Sequence, residues 1–401
     1  MENREQRGRR RPPQPQRQRK RRKKAVRRKY FDYTLLIMTM LLVGIGITMI
    51  YSTSSYTAYV KYNSAEYYLK KQLLYSILGL GGMYVTYRID YHKYQKYWKA
   101  AGIIAVIMIL ALIPFGTKVN GAKRWLRFMG LSIQVSDVVK LAVIIVTASM
   151  ICNMGKRYNK MRYVFFIWMF CGGIFAGLIW VVSNNLSSAI IIFGIVVMIA
   201  FVGYPYYLGH LSMLGAGGIA GFFAYQYLQR STTSAADADN FRHARMLVWL
   251  NPEKYADTVG YQTVQALYAI GSGGIFGKGL GNSLQKLGFI PESQNDMIFA
   301  IICEEFGLFG AIFLMTVFGI LLWRIVHVAQ NSPDLFGTLL AVGVFAHIAI
   351  QVVLNIAVVT NTIPNTGVSL PFISYGGSSS VILLAEIGIL LNISAQITRE
   401  V

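Results

Sequence analysis

Charge is scarce in this chain. Only 14% of its 401 residues are Asp, Glu, Lys or Arg, where soluble domains carry roughly a quarter. An ordinary water-soluble globule is therefore excluded. Acid is scarcer than base, 17 Asp and Glu against 39 Lys and Arg, for a net charge of +22. Cysteine is nearly absent. Cys152, Cys171 and Cys303 fall in apolar runs without metal-ligand spacing and read as packing residues. The five histidines, at 92, 210, 243, 327 and 347, are scattered, and no pair has the spacing of a zinc site. The alternating segments of about ten residues that build a transmembrane β-barrel are missing. Gly277-Lys278-Gly279-Leu280-Gly281 follows no strand and lacks Gly-Lys-Ser/Thr, so it is not a nucleotide loop.

What is abundant is apolar sequence, 54% of the chain, in runs long enough to cross a bilayer. The expected fold is an all-α polytopic integral membrane protein. Its spans are expected at 33–51, 68–87, 100–115, 131–153, 162–182, 186–203, 207–228, 297–323, 336–358 and 376–397. That makes ten helices, with a long extracytoplasmic loop, 229–296, between helices 7 and 8. Residues 1–30 hold fifteen Lys and Arg against Glu2 and Glu5, together with Pro12, Pro13 and Pro15. This segment cannot bury a core and is expected to be a disordered cytoplasmic tail. It is too long and too charged for the start of a signal peptide. Its roles would be orientation, anionic lipid or a cytoplasmic partner. Nucleic acid fits worst, because no aromatics are interleaved with the charge. The domain proper is then 31–401. With the tail inside, both termini are cytoplasmic, and the basic loops 88–99 and 154–162 fall on the inner side, as the positive-inside rule asks.

Two outer segments break that rule. Loop 116–130 carries Lys118, Lys123, Arg124 and Arg127 around Trp125 with no acid. Loop 229–296 carries Arg230, Arg242, Arg245, Lys254, Lys278 and Lys286. Cations on the wrong side of a membrane point to an anionic ligand. Guanidinium grips phosphate oxygens in a fork, and an indole lies against lipid or sugar. At the end of the second loop, Asp296 stands on the threshold of an apolar run, with Glu304 and Glu305 two turns further in. Burial raises the pKa of such a carboxylate while a nearby cation keeps it ionised, which is how a general base is made. A helix cap is the competing explanation. Within the spans, Asp137 and Lys140 share a helix face at i, i+3. They either neutralise one another or direct Lys140 toward a ligand phosphate. Asn185 opens a span, where capping also competes. Ser378 and Ser379, in LPFISYGGSSS, offer donors at another helix start, with Ser/Gly helix packing as the alternative.

Several of these stretches together resemble the SEDS family (shape, elongation, division and sporulation), membrane proteins of the FtsW and RodA type. They are NGAKRWLRFMGLSIQVSDVVKLA (120–142), NNLSSAI (184–190), Arg242 with Arg245, residues 249–311 ending GFIPESQNDMIFAIICEEFGLFGA, and LPFISYGGSSS (370–380). The resemblance covers nearly everything after residue 30. It implies ten transmembrane helices and the polymerisation of lipid II, an undecaprenyl-diphosphate disaccharide-pentapeptide, into glycan strands. It matches the family's essential carboxylate to Asp296. Asn295 replaces the usual Thr, Asp137 stands where Glu is frequent, and Asn185 stands where many relatives have Asp. The division branch is favoured.

On this reading the protein is a peptidoglycan glycosyltransferase of the bacterial cytoplasmic membrane, at the division septum. Asp296 is the base, and Arg124, Arg127, Lys140, Arg242 and Arg245 meet the leaving diphosphate. Trp125, Asp137, Asn185, Lys286, Ser378 and Ser379 are further substrate-side candidates. A divalent cation, Mg2+ or Mn2+, could assist, but no dedicated site is visible. The expected partners are a class B penicillin-binding protein and other division proteins. A lipid II flippase and a non-catalytic scaffold are the alternatives. Polar groups gathered at the outer ends of spans, not at the midplane, favour the enzyme.

Overall fold

The computed structural model describes residues 27–29, 31–119, 122–128, 131–204 and 241–400, with isolated positions at 209, 211 and 215. Long apolar segments become helices because lipid leaves backbone groups no other partner. In chain order come strand β1 (Arg27–Lys29), helices α1 (Tyr33–Tyr62), α2 (Tyr67–Arg88), α3 (His92–Lys96) and α4 (Trp98–Phe115), and strands β2 (Thr117–Val119), β3 (Ala122–Phe128) and β4 (Leu131–Gln134). Then follow α5 (Val135–Met154), α6 (Met161–Ile167), a π-helical turn, α7 (Phe175–Ser183) and α8 (Leu186–Gly203). The last third holds α9 (Phe241–Leu250), α10 (Tyr261–Gly273), α11 (Ile298–Asn331), α12 (Leu335–Val359), α13 (Gly377–Gln396) and β5 (Thr398–Glu400).

Among the described residues eight helical segments are long and apolar enough to cross a membrane. They correspond to eight of the ten expected spans. The expected span 68–87 is helix α2, which is long enough but more polar. The expected span at 207–228 falls on positions of which the structure describes only 209, 211 and 215.

Helices α5 and α13 are the most enclosed, and α4 shows most of its surface to the surroundings. Around that centre α2 packs along α13, α12 lies between α11 and α8, and α10 rests on α11. Small residues permit the close approaches. A Cβ on Gly377 would sit 2.8 Å from the Tyr75 ring, and one on Gly343 would collide with Ile144. Such contacts drive helix association where apolar burial cannot.

Two features depart from expectation. Loop 116–130 is not irregular: β2, β3 and β4 form an antiparallel sheet, with Trp125 opposite Gln134 and Arg127 opposite Ser132. Residues 131–134, expected to begin a helix, are its last strand. At the opposite end of the bundle, β1 pairs with β5, Arg28 facing Arg399, so the last part of the expected tail is ordered as a strand. Beside it the buried Asp32 accepts from Arg324 Nη2 at 2.7 Å and caps α1 through Leu35 N at 3.0 Å.

Candidate active site

Helix α11 does not run unbroken. At Gly307 the backbone turns to φ 64, ψ −161, and the glycine-rich segment after α10 inserts against the break. Lys278 N and Gly279 N donate to the carbonyls of Glu304 (3.0 Å) and Glu305 (2.8 Å), while Leu308 N donates back to Gly274 O at 3.0 Å. Gly277, at φ +78, lies so close to Glu305 O that a Cβ would overlap it. The two glutamates complete the anchorage. Glu304 accepts from Lys278 Nζ (2.7 Å), Ser283 Oγ and the amides of Leu284 and Gln285 (3.2 and 3.3 Å). Glu305 accepts from Lys286 Nζ at 2.8 Å and from Ser52 Oγ of α1 at 2.7 Å. Lys286 is therefore buried and its ammonium is occupied. The structure places it in the anchorage of the loop, away from the substrate-side role expected of it.

The anchored loop delivers Asp296. Its peptide carbonyl accepts from Asn355 Nδ2 of α12 at 2.8 Å, and the same amide group donates to Val368 O at 2.7 Å. Asn355 thus staples the end of the loop to the segment before α13. Gly367, at φ +67, has its Cβ position 3.7 Å from the Asp296 carboxylate. Helix α11 starts at Ile298 with Met297 as cap residue and no side-chain cap bond, so the capping explanation for Asp296 finds no support. Asp296 is half-buried. Burial pushes its carboxyl up to about 6, against the pull of its own backbone amide and of Arg245, with Glu292 adding to the rise.

Arg245 acts on this carboxylate, and Arg124, from a separate element, acts on Arg245. Alternation along β3 puts Arg124 and Leu126 on one face and Trp125 and Arg127 on the other. Leu126 packs on the core, which turns Arg124 inward, whereas Arg127 is exposed. Arg124 has a buried Nε without a hydrogen-bond partner among the described residues, and burial lowers its pKa. Arg245, from α9, is lowered by burial and by Arg124 nearby, and raised by Asp296. The three groups therefore share one electrostatic neighbourhood. Around it Gln294 Oε1, Asn295 Oδ1, Asn355 Oδ1 and Thr366 Oγ1 are buried without partners among the described residues. Buried polar atoms are ordinarily satisfied, so this set marks a place for a polar ligand.

The remaining candidates take other places. Asp137 and Lys140 form a buried ion pair at 2.9 Å, which fits self-neutralisation. Asn185 caps α8 by accepting from Ser188 N at 3.1 Å. Ser378 Oγ accepts from Gln134 N at 2.8 Å, tying β4 to α13, and Ser379 is half-buried beside Gly376. Trp125 is half-buried on the sheet face away from Arg124. The side chain of Arg242 lies outside the described residues. Sequence reasoning missed Asn355 and Gly367, because one sits in an apolar helix and the other in an ordinary-looking turn. It also missed the buried pair of His347 Nδ1 and Glu386 at 2.9 Å, whose members are 39 residues apart. No three His, Cys, Asp or Glu side chains gather to hold a metal among the described residues.

The family model for FtsW, RodA and SpoVE, described as "Cell cycle protein", matches residues 33–399. Stage V sporulation protein E of Bacillus subtilis is 37% identical over 366 residues, covering 90% of this chain and 96% of that protein. The probable peptidoglycan glycosyltransferase FtsW of Trichlorobacter lovleyi is 36% identical, covering 91% of this chain and 93% of that protein. Among solved structures, a chain of a peptidoglycan synthase complex superposes with TM-score 0.72 at 23% identity, over 91% of this chain and 97% of its own length. RodA of Thermus thermophilus superposes with TM-score 0.64 at 21% identity, over 92% and 97%. These two show the fold. From the length of the family match and the identity to its curated members, the chain belongs to the FtsW, RodA and SpoVE family, the SEDS proteins.

Proposed function

We propose that this protein is a peptidoglycan glycosyltransferase that polymerises lipid II at the outer face of the bacterial cytoplasmic membrane. The observation that carries the reading is Asp296, a half-buried carboxylate with its pKa raised to about 6 and Arg245 within electrostatic reach, with Arg124 beside that arginine. Such a group is ionised at neutral pH yet basic enough to accept a proton. The curated relatives named as peptidoglycan glycosyltransferases support the same chemistry.

The Asp296 carboxylate takes the proton of the acceptor sugar's 4-hydroxyl. The freed oxygen forms a bond to the donor's anomeric carbon, and the bond from that carbon to the diphosphate oxygen breaks, with inversion. The diphosphate leaves with the electron pair, and Arg245 and Arg124 meet its growing charge. The unpartnered oxygens of Asn295 and Thr366 accept from sugar hydroxyl and amide groups. The glycosyl–diphosphate bond itself supplies the energy, so no nucleotide is needed. Among the described residues no three carboxylate, histidine or cysteine side chains gather near Asp296 to hold a resident metal ion. The charge pairs within the bundle, Asp137 with Lys140 and His347 with Glu386, are matched to each other, which suits structural neutralisation better than a transport path.

Reading the basic loops 88–99 and 154–162 as inner supports an outer site, both termini in the cytoplasm and the expected ten spans. A class B penicillin-binding protein is the proposed partner and the division septum the proposed location. The test is the purified protein, with and without that partner, given labelled lipid II. Wild type is expected to build glycan ladders on a gel and Asp296→Asn to build none. Ladders from the Asn protein would remove the base assignment.

A further inference from the structure

Helix α1 has 30 residues and spans about 45 Å, more than the roughly 30 Å of bilayer hydrocarbon. Its site-side end, STSSYTAYVKY, carries Ser52, Thr53, Ser54, Ser55, Thr57 and Lys61. Ser52, Thr53 and Ser54 are buried against the protein, and the outward face of this end is made by Tyr56, Tyr59, Val60, Lys61 and Tyr62. Tyr59 and Tyr62, one turn apart, are 61% and 47% exposed. Tyr62 stacks on Tyr67, at the start of α2, with centroids 3.8 Å apart and planes at 15°. Tyr67 and Tyr62 both meet the edge or face of Tyr68, at 5.4 and 6.0 Å. Tyr68 in turn meets Tyr375 at 5.1 Å and 83°. Tyr375 belongs to the site, since its N–H donates to Gln294 O at 2.9 Å, two residues before Asp296. The row is held in place. Lys71 donates to the Tyr67 hydroxyl at 2.6 Å and lies 4.3 Å from the ring centroid.

We propose that Tyr375, Tyr68, Tyr67, Tyr62 and Tyr59 form a track that holds the newly made glycan strand as it leaves the site. The proposal rests on the polymerase reading above for the identity of the ligand. One face of a pyranose ring presents C–H groups, and these pack on the electron-rich face of an aromatic ring. N-acetyl groups and ring hydroxyls find partners in the phenol oxygens. A membrane-interface belt would distribute its tyrosines around the perimeter at one level. Here they form one file that begins at the segment leading into Asp296 and ends on the exposed end of α1. A row of ring contacts also tolerates sliding, because each sugar offers much the same face, as bases do to stacking platforms.

The test separates binding from catalysis. Protein carrying Asp296→Asn, reconstituted in lipid nanodiscs, is titrated with peptide-free oligomers of alternating N-acetylglucosamine and N-acetylmuramic acid. Adding Tyr59→Ala and Tyr62→Ala is expected to weaken binding by about tenfold or more, the loss of two stacked rings. The Phe pair at the same positions should stay within about twofold, since rings and not hydroxyls carry the contact. In the active background the Ala pair should yield shorter strands at an unchanged initial rate of lipid II use. Equal affinity in the Ala pair, an equal loss in the Phe pair, or a change confined to membrane extraction or thermal stability would each overturn the track. Failure of wild type to make ladders while oligomer binding persists would sink the polymerase reading and leave the track. Ladders without oligomer binding would sink the track alone.

Discussion

Asp296 has to satisfy two conditions that pull apart. It must be ionised before the reaction and hold a proton during it. Burial lifts its carboxyl to about 6 while Arg245 limits the rise. The rate should therefore fall as pH drops through about 6, with one proton on one group, and a profile of initial rate against pH reads it directly. The same shift has a stability consequence. The folded pKa lies above the ordinary aspartate value of 3.8, so between those values the folded protein holds more protons than the unfolded one. Stability contributed by this group rises as pH falls through that window, and at pH 7 the charged carboxylate costs the fold something. Asp296→Asn is thus expected to lower activity by at least about a hundredfold while slightly raising the thermal midpoint at pH 7. A lowered midpoint would show that the carboxylate supports the fold. Asn355 makes the complementary case. Its one amide holds two carbonyls, at 2.8 and 2.7 Å, and Asn355→Leu removes both bonds at similar volume. We expect kcat to drop by about tenfold or more with KM for lipid II little changed, since the base loses its aim and not the substrate its grip. Equal losses in both constants would make Asn355 a substrate contact.

At the level of elements, the helices were legible because lipid allows so few alternatives, and the apolar runs located them, although α1 and α11 continue to Tyr62 and Asn331, well past the expected ends at 51 and 323. The sheet of β2 to β4 was not. Its residues are basic and aromatic with little alternation, and what holds it is backbone pairing plus the seating of Leu126, neither visible in composition. That omission hid which arginine matters, because only the strand's alternation separates Arg124 from Arg127. Many glycines in a loop ordinarily mean a segment easily reshaped, but Gly277 and Gly307 serve close backbone contact at the break in α11, and Glu304 and Glu305 fix the rest. Their carboxylates looked like additional chemistry and prove to be anchors. The loop should therefore behave as part of the rigid body. Gly307→Ala meets both a left-handed backbone and the chain at Gly277 and Ile275. It should destabilise by roughly 1–3 kcal/mol and reduce polymerisation more than Gly281→Ala, which shares the left-handed backbone, at φ +83, but meets no neighbour. Lys286→Ala should do comparable damage by stranding Glu305 in the interior. Thermal unfolding and initial rates on the three proteins test this ranking, and equal behaviour of Gly307→Ala and Gly281→Ala would contradict it.

For the molecule as a whole, the site is assembled from parts with different restraints. Arg124 comes from the sheet, Asp296 from the anchored loop and Arg245 from α9. Helix α9 continues into a tight turn at Glu253–Tyr255, and Asn361 Nδ2 reaches Trp249 O at a long 3.4 Å. The opposite end of the molecule is remote from all three. Deleting residues 1–26, which leaves the β1 to β5 pairing intact, should keep purified activity within about twofold, and loss of most activity would tie that end to the site. The glycine-rich loop is locked by its two glutamates. Arg245 comes instead from α9, a helix of ten residues outside the eight candidate membrane helices, and that is where a partner is expected to act. A partner transpeptidase is then expected to raise the initial rate saturably by positioning α9, and the rise is bounded by how much better it binds the productive arrangement than any other. Hydrogen exchange distinguishes the routes. Binding should protect amides across Phe241–Leu250 and leave 274–297 as protected as before, because those amides are already bonded to Glu304, Glu305 and their neighbours. Protection gained only at 274–297 would return the coupling to the loop. A rate that stays flat while complex formation is demonstrable would leave the partner nothing but recruitment.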